Sequence, residues 1–399
     1  MTRAANYGAD SAKRPDGVRR FPGDTGPMSA TLDTHTPATN DDSTGTMRAA
    51  VFERPGRIAL QERPIPACGP TDAIVRVAMT TICGTDVHIL RGEYPVAPGR
   101  IVGHEPVGVI AQVGSAVEGH AVGDRVLVGA ITPCGTCFFC QTHTEAQCSG
   151  HRDEWEMIGG WRLGNSVDGV QADYFRVPYA QANLAPIPDD LSDEQCVLLA
   201  DIASTGISAA ESAQVGIGQT VAVFAQGPIG LCATAGARLK GAALIIGVDA
   251  IEKRLLLSRE MGADEVIDFT QEDPVAAIKR LTGGRGVDVA IEALGKQETF
   301  QWCLEATRPG GTVSSLGVYG GKLEIPVEPF VYGIGDKRIL TTLCPGGKER
   351  MRTLMELVRH SRIDLSKLIT HRFPLERIEE AYELFANQRD GVVKVAITP

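Results

Sequence analysis

From about residue 203 the chain falls into a rhythm that leaves few folds open to it. The strand-like TVAVFA is followed by a glycine-bearing turn and the helix-like IGLCATAGARLKG. After them come ALIIGVD, KRLLLSREMG, ADEVIDF, DPVAAIKRLTG, GVDVAIEAL, ETFQWCLEATRPGG and TVSSLG. Short apolar runs joined by helix-length connections pair in parallel, through right-handed crossovers. The stretch to about residue 343 therefore predicts a doubly wound α/β sheet. Before it, from 47 to about 202, the chain is β-rich: AIVRVA, Val107–Val113 and Arg125–Val128 alternate with Gly, Pro and Asp punctuation. After it, ERMRTLMELVRH is one helix in a stretch that no longer reads as a sheet unit.

The first strand–turn–helix of this region carries a nucleotide fingerprint. Ala225-Gln226-Gly227-Pro228-Ile229-Gly230 fills the G-x-G-x-x-G pattern with alanine at its first position. Gly227 lets the backbone approach a pyrophosphate, Gly230 lets the helix pack on the strand, and the helix start at Pro228 and Ile229 offers free N–H groups. Asp249 ends the next strand, 22 residues after Gly227. A carboxylate at that offset accepts hydrogen bonds from the ribose of NAD and repels the extra phosphate of NADP; Arg254 is the residue that could offset that repulsion. NAD is the expected cofactor.

Cys134, Cys137, Cys140 and Cys148 read C-x2-C-x2-C-x7-C in a segment without a hydrophobic repeat. Such a lobe cannot hold its shape by burying apolar surface, and four thiolates at this spacing can wrap one tetrahedral Zn²⁺. Two disulfides or four unrelated thiols are the alternatives. A closed four-cysteine site leaves no position for a substrate, so the chemistry lies elsewhere. Cys83 in ICGTDVH, His104 in VGHEPVG and Asp201 in LLADIASTG offer a second set. One Cys, one His and one carboxylate hold zinc with a fourth position open, the arrangement of a Lewis acid. Thr85 and His88 follow Cys83 closely enough to read as a proton path to solvent, or as plain turn and surface residues.

Composition narrows the rest. At 399 residues there is room for two domains with substantial cores. The net charge of −10 argues against nucleic acid or an anionic membrane as the main partner. No run of 18 apolar residues is present to cross a bilayer. Residues 1–46 hold almost no Leu, Ile or Val and predict a disordered tail, with the fold beginning near Met47. They show no apolar core of signal-peptide length, and the six cysteines outside the quartet are scattered, which points to a reduced, cytoplasmic setting.

Taken in order, GHEPVGVI, the four-cysteine lobe, the STG after Asp201 and the fingerprint resemble the zinc-dependent medium-chain alcohol dehydrogenases, over about residues 47–399. GGWRLGNSVDGVQADYF, LCPGGKERM and RIDLSKLITH resemble the bacterial secondary-alcohol (isopropanol) branch. The resemblance implies a Rossmann sheet over 203–343 and a β-rich GroES-like catalytic domain, carrying the structural-zinc lobe, made of 47–202 and 344–399. It implies two zinc ions per subunit. Cys83, His104 and Asp201 match the catalytic ligands and Thr85 with His88 the proton relay. Glu105 matches a carboxylate close behind the metal, Thr205 a nicotinamide contact, Lys394 a pyrophosphate contact and Trp161 a wall of the substrate pocket. Two departures stand out: well-known members of that branch lack the quartet and prefer NADP, whereas this chain has both the quartet and Asp249. The expected reaction is reversible hydride transfer between a secondary alcohol and NAD by a homo-oligomer, a tetramer ahead of a dimer. A primary-alcohol or polyol dehydrogenase with the same machinery is the alternative, and a non-catalytic zinc-stabilised NAD sensor the remote one.

Overall fold

The computed structural model of the chain describes residues 45–150 and 158–399. The expected tail lies outside the described residues, apart from its last two positions. Among the described residues the strands, in chain order, are Thr46–Arg54 (β1), Arg57–Pro64 (β2), Ala73–Ile82 (β3), Val107–Val113 (β4), Arg125–Leu127 (β5), Tyr174–Val177 (β6) and Ala185–Pro186 (β7). They continue as Thr220–Phe224 (β8), Leu244–Asp249 (β9), Glu265–Asp268 (β10), Val287–Glu292 (β11), Thr307–Ser315 (β12), Arg338–Thr341 (β13), Ile369–Pro374 (β14) and Lys394–Thr398 (β15).

Strands β8 to β13 form one parallel sheet in the order β10-β9-β8-β11-β12-β13. This is the doubly wound topology that the alternating pattern predicts. The order reverses between β8 and β11, and a crevice opens there at the carboxyl ends of the strands, the usual place for a ligand in such sheets. The helices Pro228–Leu239, Glu252–Met261, Pro274–Leu281 and Gln297–Ala306 connect successive strands. The centre of the sheet is apolar throughout: Ala222, Phe224, Ile246, Val248, Ala290 and Val313 are all buried.

At the opposite end of this sheet one carboxylate joins three strands. Asp288 accepts hydrogen bonds from the backbone N–H of Thr220 at 2.8 Å, from its hydroxyl at 2.9 Å and from Arg308 Nε at 2.7 Å. Burial alone would raise the Asp288 carboxyl; the bonds from Thr220 and Arg308 outweigh it and hold it below the usual range. A depressed native pKa contributes stability above the unfolded value, and that contribution is lost as pH falls through the native one. Asp288→Asn is expected to cost about 1–2 kcal/mol at pH 7. Thermal unfolding of both proteins checks this, and their difference should narrow between about pH 5 and pH 3.

The second sheet runs β14-β15-β3-β4-β5-β7, with β6 on β3 and the β1–β2 hairpin beside it. Its pairings are antiparallel except β14 with β15. Here the C-terminal residues return to the β-rich part: Val395, Ala396 and Ile397 pair with Ile82, Thr81 and Thr80 of β3. That pairing puts Lys394 next to the end of β3, and therefore next to Cys83.

Candidate active site and zinc lobe

Cys83 is the first residue after β3 and caps the helix Gly84–Leu90; Asp86 reaches back to accept from the Cys83 N–H at 2.9 Å. His104 arrives on the loop before β4. Asp201 lies in a single widened π-type turn, Leu199–Ala203, ahead of the helix Ser204–Ser212. Such turns displace one residue from regular helical packing and recur at functional positions. Three separate elements thus converge: Cys83 Sγ is 3.4 Å from Asp201 Oδ2, and His104 Nε2 is 3.5 Å from the same oxygen. Together with Glu105 these residues offer four ligand atoms, all within 4.8 Å of one another and all buried.

The electrostatics fit a cation. Burial pushes the Cys83 thiol up, while the His104 hydrogen bond and charge hold the Asp201 carboxyl well below the usual range against its burial. Two potential anions and an imidazole buried this close together are costly alone and stable around a dication. The surroundings also orient the set. The Thr205 hydroxyl donates to Asp201 Oδ1 at 2.8 Å. His104 Nδ1 lies 3.5 Å from Asp86 Oδ1, which leaves Nε2 facing Cys83 and Asp201. A carboxylate behind a ligating imidazole fixes its tautomer and raises its basicity. Asp86 is itself held by Gln171 Nε2 at 3.2 Å, and Gln171 Oε1 accepts from the Tyr382 hydroxyl at 2.8 Å.

Glu105 faces Lys394, whose Nζ sits 2.9 Å from Oε1 and 2.6 Å from Oε2, with the Thr81 hydroxyl as a further donor. Both side chains are about 1% exposed. Lys394 therefore touches the wall of the cleft with its ammonium already committed to Glu105, and Thr205 has its hydroxyl committed to Asp201.

The cleft is a cavity of about 520 Å³, whose walls include Cys83, Thr85, His88, Tyr94, Gly227, Pro228, Ile229, Arg254 and Lys394. Residues placed by sequence in the relay and in the nucleotide site thus share one space. Thr85 Oγ1 is 3.8 Å from Cys83 Sγ, and the half-exposed His88 pairs through Nδ1 with Glu93. Ala225, the alanine in the fingerprint, adopts φ +71°, the left-handed conformation for which glycine is the usual residue. Gly230 is required by contact: a Cβ there would lie 1.8 Å from the Ala225 carbonyl oxygen. Asp249 is buried at the end of β9 and accepts from the N–H groups of Gln226 at 2.7 Å, Ala250 at 2.8 Å and Ile251 at 3.0 Å. The Arg254 guanidinium is 3.9 Å away.

Trp161 is near the metal set, its ring 6.3 Å from that of His104, yet it is not on the cleft wall. Tyr94 stands before it, ring to ring at 5.8 Å and edge-on. Tyr94 and the Asp86–Gln171–Tyr382 chain escape a reading of the sequence, because no spacing links residues so far apart.

In the lobe, the sulfur–sulfur distances are 3.9 Å (Cys134–Cys140), 3.6 Å (Cys137–Cys140) and 3.7 Å (Cys137–Cys148). Four sulfurs at the ordinary Zn–S distance on a tetrahedron lie about 3.8 Å apart, whereas a disulfide requires about 2.05 Å. All ten cysteines are free, so the disulfide alternative does not hold. Donors already point at the sulfurs: the N–H of Cys134 and of Gly150 and Arg162 Nη2 reach Cys148 Sγ at 3.2, 3.3 and 3.3 Å.

Comparison with known proteins agrees with this geometry. Residues 69–189 match the alcohol dehydrogenase GroES-like domain, and residues 228–360 match the zinc-binding dehydrogenase family. An alcohol dehydrogenase of Cupriavidus necator is 56% identical over 366 residues, covering 89% of this chain and 100% of that one. The NADP-dependent isopropanol dehydrogenase of Thermoanaerobacter brockii is 36% identical over 346 residues, covering 86% and 97%. Among solved structures, alcohol dehydrogenase TADH from Thermus sp. ATN1 superposes with a TM-score of 0.80 at 34% identity, covering 88% of this chain and 99% of that one.

Proposed function

This chain belongs to the zinc-type alcohol dehydrogenase family, whose members interconvert alcohols and carbonyl compounds, and we propose that it is an NAD-dependent, secondary-alcohol enzyme. The observation that carries the reading is the convergence of Cys83, His104 and Asp201 on one buried point, with Cys83 also on the wall of the nucleotide cleft. In this reading Cys83, His104 and Asp201 would hold one zinc, and Cys134, Cys137, Cys140 and Cys148 a second, structural one. When bound, the first zinc would supply a Lewis acid and the nicotinamide a hydride acceptor. The protein does the remainder. Thr85 accepts the alcohol proton and His88 passes it to solvent, with Glu93 on Nδ1 leaving Nε2 free to receive it. Asp86 and Thr205 keep the imidazole and the carboxylate turned inward.

NAD is proposed over NADP because the Asp249 carboxylate stands at the end of β9, bonded by backbone amides rather than by a cation in close contact. The Thermoanaerobacter relative is named for NADP, so the choice is specific to this chain. A homotetramer fits the branch resemblance, and the exposed Val327, Tyr332 and Ile334 near the edge strand β13 fit a subunit contact. The ten free thiols fit a reducing, cytoplasmic setting.

Initial rates with 2-propanol and ethanol, each with NAD and NADP, test the reading. The expected result is a preference for 2-propanol and for NAD. Asp249→Asn keeps an acceptor for the loop amides while removing the charge; Asp249→Gly removes both. Each is expected to move the NAD to NADP ratio of kcat/KM by about tenfold or more towards NADP, equivalent to ~1.4 kcal/mol. A wild type that prefers NADP, or a ratio unmoved in both variants, rejects the cofactor assignment. Preference for ethanol transfers the substrate to the primary alcohols.

A further inference from the structure

We infer that Glu292 is a positioning residue for the cofactor: its buried carboxylate ties together the two loops, 293–296 and 316–320, against which the nicotinamide half of a bound dinucleotide would rest. The inference rests on the NAD reading above. The sheet decides which half meets which loop. A dinucleotide lies across the point between β8 and β11 where the strand order reverses, one half on each side. Asp249, at the end of β9, marks the adenosine side. The loops after β11 and β12 therefore face the nicotinamide side, and Ala293, Leu294, Gly295, Leu316, Gly317 and Val318 all stand on the wall of the cleft. Glu292 is the last residue of β11, fully buried and set behind that wall.

The tips of these loops have little apolar packing to hold them: Leu294 and Val318 are 48% and 52% exposed. What the loops share is one carboxylate. Glu292 Oε1 accepts from the N–H of Leu294 at 3.0 Å, the N–H of Gly295 at 2.9 Å and the Thr299 hydroxyl at 2.6 Å. Oε2 accepts from the Tyr319 hydroxyl at 2.9 Å, and Ser315 Oγ lies 2.8 Å from that hydroxyl. The Glu292 carbonyl also takes the N–H of Leu316 at 2.8 Å. One side chain thus bonds the backbone of the first loop and a side chain of the second. Two glycines mark how closely the loops fit. A Cβ on Gly295 would run into the Val318 carbonyl oxygen, and one on Gly317 into Glu292 Oε2. The donors to the carboxylate are all neutral, so what Glu292 supplies is a set of acceptors at one buried point. Removing them strands the donors on both loops at once, which is where a buried polar network is most easily lost.

The test measures the binding of NADH and of AMP, which carries the adenosine half alone, to the zinc-loaded enzyme by isothermal titration calorimetry. Glu292→Ala should raise the Kd for NADH about tenfold or more and leave that for AMP within about twofold. Tyr319→Phe keeps the ring that stands edge-on to Phe300 and removes one tie between the loops; it should weaken NADH about threefold, with AMP again unmoved. Glu292→Gln should bind NADH within about threefold of the wild type, because Oε1 keeps its donors and the Tyr319 hydroxyl can turn to accept from the new amide. A role in general stability would weaken both ligands together. NADH and AMP falling in parallel, or NADH unchanged in both the Ala and Phe variants, overturns the proposal. If the alanine variant does not fold, the NADH to AMP ratio in Tyr319→Phe decides it. A wild type that binds NADPH and not NADH removes the NAD reading alone, and the same ratio taken with NADPH against 2′-AMP then decides the role of Glu292.

Discussion

Asp201→Ala should yield a folded protein that retains one zinc per chain instead of two and has lost on the order of a thousandfold or more in kcat/KM. The size of the effect follows from ligand number. A catalytic zinc needs three protein ligands, and Asp201 is the one that lies within 3.5 Å of both the others. Without it Cys83 and His104 remain, with Glu105 already paired to Lys394, too few to fix the ion or its open position. The fold loses little by comparison: the Thr205 hydroxyl gives up one acceptor, a change of about 1 kcal/mol, and a buried carboxylate leaves with it. Metal analysis beside far-UV circular dichroism separates the two effects. Asp201→Cys supplies a different anionic ligand from the same turn and should recover zinc, and part of the rate. Two zinc ions and full activity in the alanine variant would remove Asp201 from the site.

What could be read from the sequence depended on whether its signal was local. The parallel sheet was legible because each strand and helix in 220–315 carries its own period and its own punctuation, and the burial of β8, β9 and β11 follows those apolar runs closely. The cysteine quartet was legible for the same reason, being contained in fifteen residues. Short or half-exposed strands were not: β13 is RILT, with no residue fully buried. The packing behind the metal was also out of reach. Asp86 meets Gln171 across 85 positions and Gln171 meets Tyr382 across 211, and only tertiary folding brings them together. Tyr94 belongs to the same class. As a lone aromatic in a loop it has no motif, and its ring stands 5.3 Å from that of His88.

The pairing of Glu105 with Lys394 carries the second large effect. Lys394→Met replaces the ammonium with an apolar side chain of similar length, so packing is largely kept and the charge is what is lost. Replacing both partners of a buried pair with apolar or neutral groups is often close to neutral, whereas removing one strands the other and costs about 3–5 kcal/mol. A zinc ion at the neighbouring site does not substitute for the lost charge, because the Cys83 thiolate and the Asp201 carboxylate neutralise it. The cost should depend on pH. Burial already pushes the Glu105 carboxyl up to about 7 against the pull of Lys394. Without Lys394 it moves further in the same direction. A carboxyl whose native pKa lies above its unfolded value of about 4.3 contributes most below that value and loses stability as pH rises through the native one. At pH 5.5 the stranded group takes a proton and the deficit is small; by pH 8.5 it approaches its full value. Urea midpoints of wild type and variant at those two pH values measure this, and the double variant Glu105→Gln, Lys394→Met should recover most of the loss at pH 8.5. A single variant that loses under about 1 kcal/mol at both pH values would mean that water or a rearranged side chain reaches Glu105, and the pair would then not be the buried, mutually dependent one described.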